Sequence, residues 1–119
     1  MTNWDKLQSL VEVINQDGVD INFLGSAKEI GSPFPVNGCA FMEEEMIDLF
    51  ADDPRRDADK LSAALIHEYG HILSWRKNKD DGEKVAWEMG VAGVPKWMVP
   101  PCLPKMKKTC LEWYENNND

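Results

Sequence analysis

Apolar residues recur at helical spacing near the start of the chain, where Leu7, Leu10, Val11 and Ile14 follow Thr2 and Asp5. The Thr-x-x-Asp spacing is that of a capping box, which satisfies the amides left open at a helix start. This pattern predicts a helix over about residues 3 to 16, stopped by Gly18. Val19 to Leu24 then alternates apolar and polar side chains, the two-residue period of a half-buried strand. Gly25, Gly31, Pro33, Pro35 and Gly38 predict a loop over residues 25 to 38. Cys39 to Met42 and Met46 to Phe50 read as short strands on either side of a solvated acidic turn, Glu43-Glu44-Glu45.

The longest helical pattern runs from about Asp57 to Lys77, behind a start signal at Asp52-Asp53-Pro54. Lys77 to Gly82 ends it, and Asp80 or Asp81 is placed to cap a short helix from Glu83 to Ala92. A connection with four prolines follows, from Val94 to Pro104. Pro104 opens a last helix with an apolar stripe of Met106, Cys110, Trp113 and Tyr114, before a frayed tail over residues 116 to 119. No repeat or domain boundary interrupts the 119 residues. The expectation is one α+β domain, residues 1–119, with a small sheet covering the long helix.

Charge narrows the partners. A net charge of −8 and the lack of a basic stripe exclude nonspecific attraction to nucleic acid or to an anionic membrane surface. No apolar run approaches a membrane span, and Met1 to Lys6 does not read as a signal peptide, so a cytoplasmic protein is expected. Cys39, Cys102 and Cys110 are odd in number and form no CxxC pair, which predicts reduced, buried thiols.

The candidate chemistry lies inside the long helix, at His67-Glu68-Tyr69-Gly70-His71. Positions four apart on a helix share a face, so the two imidazoles can address one metal ion. Glu68 sits beside the first of them, where it can take a proton from a water. The chain has only two histidines, and both are here. Their apolar flanks, from Ala63 to Ile66 and from Ile72 to Trp75, make a buried setting in which unpartnered polar groups are costly. Zn²⁺ is the expected ion.

A catalytic zinc usually takes three protein ligands. Without a third histidine, the remaining one must be a carboxylate or a thiolate. Glu83 is preferred, because its helical neighbours Ala86, Trp87 and Gly90 include two small residues that permit close approach. Glu88 is the second choice, and Cys102 or Cys110 would instead give a closed structural site. Tyr69 lies about 200° around the helix from His67, which argues against a role at the metal. Tyr114 is a possible oxyanion donor that more simply packs.

The HEYGH helix followed by Gly82-Glu83-Lys84-Val85-Ala86-Trp87-Glu88-Met89-Gly90 resembles the gluzincin branch of zinc metallopeptidases. In particular it is similar to the small prokaryotic and phage-borne HExxH proteins related to the ImmA/IrrE family. The resemblance covers roughly residues 40 to 90. It implies a zincin-like fold, with a small antiparallel or mixed sheet on the HExxH helix. It also implies that the glutamate of the downstream E-x-x-A segment, Glu83, is the third ligand. The implied activity is metal-assisted hydrolysis of a peptide bond in a protein or peptide substrate, with Glu68 as general base. Met46 to Phe50 resembles the free edge strand along which such a substrate lies. This chain carries Trp87 where many relatives have an Asp or Asn behind the ligands. The alternatives are a phage or accessory protein that binds a host protein through its acidic surface without catalysis, and a purely structural metal site.

Overall fold

Thr2 and Asp5 exchange two bonds, each side chain accepting from the other's amide at 3.1 Å. This capping box opens α1 (Asn3–Gln16), whose Leu7, Leu10 and Ile14 are fully buried. Gly18, at φ +88°, takes the left-handed turn that ends it. The computed structural model describes residues 1–26, 35–78 and 82–117.

Three strands form a mixed sheet: β1 (Asp20–Leu24), β2 (Val36–Phe41) and β3 (Met46–Ala51), in the order β1-β3-β2. β3 runs parallel to β1 and antiparallel to β2. Met46 to Phe50 is therefore the middle of the sheet and not the free edge expected of a substrate strand. A central strand covered on one face carries the same alternation as an edge strand, so periodicity could not separate the two. Asp48, which could pass for a solubilising edge charge, accepts a bond from Asn22 on β1 at 3.1 Å.

Among the described residues the edges are β1 and β2. β1 is more exposed than expected, with Phe23 and Leu24 each 44% exposed, and the buried residue is Val19 just ahead of it. β2 starts at Val36, so residues 36–38 pair with β3 instead of belonging to the loop. The rest of that loop, 27–34, lies outside the described residues. Residues 42–45 make the turn into β3, with Glu45 at φ +52°.

α2 (Ala58–Asn78) is buried almost all round from Leu61 to Ile72, because the sheet, α1 and α3 surround it. Asp53 and Pro54 form a turn ahead of this helix, where Asp53 Oδ1 accepts from the Arg56 amide at 3.2 Å. α3 (Glu83–Ala92) begins at Gly82, whose extended backbone caps it without a side-chain bond. Asp80 and Asp81, expected as caps, fall outside the described residues. A 3₁₀ turn (Lys96–Met98) leads to α4 (Leu103–Asn117), which packs on α2 and α3. Its stripe is buried at Met106 but exposed at Trp113 and Tyr114. All three cysteines are free, and Cys39 is exposed on β2, against the expectation of buried thiols. No helix among the described residues is long and apolar enough to cross a membrane.

Candidate metal centre

The backbones of α2 and α3 touch. A Cβ added to Gly70 would stand 1.7 Å from the Ala86 carbonyl oxygen, and one added to Gly90 would stand 2.1 Å from that of Ile66. Real Cβ atoms essentially never come within 3.0 Å of such atoms, so only glycine serves at both positions. The contact carries one face of α3 against the HExxH motif. Glu83 and Trp87, four residues apart, lie on that face.

Glu83 reaches both histidines. Its Oε2 lies 2.6 Å from His67 Nε2 and its Oε1 3.3 Å from His71 Nε2. Glu68 Oε2 lies 3.2 Å from His67 Nδ1. The ring centroids of the two histidines are 4.8 Å apart, tilted by 55°. The indole of Trp87 stacks on His67 with centroids 4.3 Å apart and planes 6° from parallel. His67, Glu68 and His71 are buried, and their ligand atoms all lie within 4.8 Å of one another. This group could hold a metal ion.

Electrostatics follow from burial and charge. Burial by itself depresses His67, but the carboxylates of Glu68 and Glu83 outweigh it and push its pKa up to about 9. Burial raises Glu83, yet bonds and charges from His67 and His71 bring it down to about 2. Without metal the two are an ion pair at neutral pH, with the Glu83 carboxylate lying against both Nε2 atoms.

β2 forms the wall beside Glu68. A Cβ on Gly38 would be 2.8 Å from Glu68 Cγ and 3.2 Å from Oε2, so the strand can lie this close only because Gly38 has no side chain. α4 closes a further side. Tyr114 lies within range of the Glu83 and Glu68 carboxylates, and desolvation followed by their charges pushes its pKa up to about 12. Burial and the same two carboxylates push the Cys110 thiol up to about 11.

The structure thus brings His67, Glu68, His71 and Glu83 together. It does not bring Glu88, which is exposed. Cys102 lies beside Met106, 4.0 Å between sulfurs, with Asp59 and Lys60 as its charged neighbours. Tyr69 turns away, as its angle on the helix predicts, and donates to Asp17 at 2.6 Å. Gly38 is the residue for which sequence reasoning assigned no place at the site, whereas Trp87 was set behind the ligands by the resemblance and Tyr114 was named as an oxyanion donor that more simply packs.

Comparison of the chain with known protein families, with curated proteins and with solved structures finds no match.

Proposed function

We propose that this chain is a zinc-dependent peptidase of the gluzincin type, with a zincin-like fold, acting on a protein or peptide. The observation that carries the reading is the convergence of His67 Nε2 and His71 Nε2 on the Glu83 carboxylate, with Glu68 beside them. Two imidazole nitrogens and a carboxylate make a donor set suited to zinc, and both histidines are buried. His67, His71 and Glu83 would hold the ion. Zinc bound there would polarise a scissile carbonyl and make a nearby water more acidic.

The chain's own groups do the rest. Glu68 accepts the proton of the attacking water and returns it to the leaving amine. Tyr114 stays protonated throughout the neutral range, so its hydroxyl is a donor available to the carbonyl oxygen as that oxygen gains charge. β2 takes the role first expected of β3. It is a sheet edge among the described residues, it lies along α2, and Gly38 touches Glu68. An extended chain added beside β2 would pass the general base, held by backbone hydrogen bonds.

Metal analysis of the purified protein, together with a Glu68→Gln variant on a peptide library, tests this reading. The wild type should carry a single zinc ion and His67→Ala little. Glu68→Gln should keep the metal and lose hydrolysis. A wild type that refuses zinc at micromolar concentrations sinks the proposal. One that binds zinc and cleaves nothing supports a binding protein instead.

A further inference from the structure

The ring of His67 is held on its edge and on its face. A histidine that ligates metal through one nitrogen is ordinarily oriented by the other, which donates to a carboxylate, a carbonyl or water. For His67 the carboxylate in that place is Glu68, whose Oε2 lies 3.2 Å from Nδ1. Glu68 is also the group proposed to exchange protons with water. If it alone fixed the ligand, each change of its protonation would loosen the ring.

Trp87 supplies a second restraint that does not involve Glu68. Its indole is 1% exposed and lies flat on the imidazole, 4.3 Å away and within 6° of parallel. Turning the His67 ring about its own side-chain bond would drive a ring edge into that face. Trp87 is seated one turn after Glu83, so α3 grips His67 by Nε2 and by the ring plane together. Among the described residues His71 has no such stack and meets His67 at a 55° tilt. The indole Nε1 is buried without a hydrogen-bond partner among the described residues. Buried tryptophans usually find one. What this residue contributes is therefore its flat face and not its N–H.

We propose that Trp87 is a positioning residue that fixes the plane of the His67 imidazole for the metal and leaves Glu68 free to serve water. This rests on the metal-site reading above, and the test separates the two. Metal-free wild type, Trp87→Phe and Trp87→Leu are each titrated with cobalt(II), whose visible absorption reports coordination geometry. Phe and Leu both lose volume, but only Phe can stack. Trp87→Phe should keep the wild-type spectrum and nearly the wild-type affinity, while Trp87→Leu should bind about 10- to 100-fold more weakly with an altered spectrum. In metal-free wild type, the ring protons of His67 should resonate upfield of those of His71 through the indole ring current. That measurement stands even if Trp87→Leu fails to fold. Trp87→Leu binding cobalt with wild-type affinity and spectrum overturns the proposal, as does a His67 resonance without the upfield displacement. A wild type that shows the displacement but takes up neither cobalt nor zinc overturns the metal reading and reduces the stack to packing.

Discussion

Gly70 of α2 and Ala86 of α3 stand so close that the smallest side chain at position 70 would collide with a backbone carbonyl, 1.7 Å from its oxygen. Position 70 is one of the two unspecified places in HExxH, yet in this chain it is constrained. A methyl group there must push α3 away, and with it Glu83. Gly70→Ala should cost on the order of 3 kcal/mol. Its thermal midpoint should fall by more than about 10 °C. Metal uptake should fall with it. A Gly70→Ala protein that melts with the wild type contradicts the close approach of the two helices.

Metal and protons compete for His67. Its folded pKa of about 9 lies above the ordinary 6.5, so its ion pair contributes stability in full below 6.5 and loses it as pH rises through about 9. Glu83, lowered from 4.5 to about 2, contributes above 4.5 and loses that as pH falls through about 2. The pair therefore supports the metal-free protein most between pH 4.5 and 6.5. Metal must displace the His67 proton throughout the neutral range, so affinity for zinc should rise with pH towards 9. Calorimetric titration at neutral pH, in buffers of different ionisation enthalpy, should show proton release on binding. Binding that takes up no part of the buffer's ionisation heat contradicts the His67–Glu83 ion pair.

Tyr69 anchors the HExxH helix from its far side. Its hydroxyl donates to Asp17 at 2.6 Å, and Arg76 adds a 2.6 Å bond to the same carboxylate while also bonding Glu45. The end of α1 and the β2–β3 turn are thus tied to α2. Tyr69→Phe should lose about 1 kcal/mol, less than the usual worth of a bond to a charged group because Asp17 is partly exposed. Zinc content should not change. The Tyr69 bond, then Arg76, holds the Asp17 carboxyl below its usual range, so its contribution is lost as pH falls through the folded pKa. Tyr69→Phe should accordingly show a smaller loss of stability on acidification. Denaturant unfolding at neutral and acid pH checks both.

Asp48 lies on a strand with neighbours on both sides, pairing with Asn22 and with Cys39. A central strand has no backbone N–H to give up. Asp48→Pro should therefore leave an unfolded or insoluble protein, read by far-ultraviolet circular dichroism. Asp48→Ala, which removes only the exposed bond to Asn22, should change stability by about 0.5 kcal/mol or less. A well-folded Asp48→Pro would return β3 to the sheet edge.

Local periodicity determined a good deal of this protein. The capping box and apolar spacing of α1, the span of α3 from Glu83 to Ala92, and the shared face of His67 and His71 all follow from interactions within a few residues. So does the turn of Tyr69 away from the histidines. The choice of Glu83 over Glu88 was also within reach, because the small residues Ala86 and Gly90 mark the face of α3 that can approach another backbone. Strand order was not. Pairing joins residues far apart in the chain, and the alternation of Met46 to Phe50 is the same whether one side or both are occupied. The tertiary structure alone decided that β2 borders Glu68 and that Trp87 stacks on His67. Each of these contacts depends on how whole elements pack, and no short-range pattern in a sequence encodes the position of one element against another.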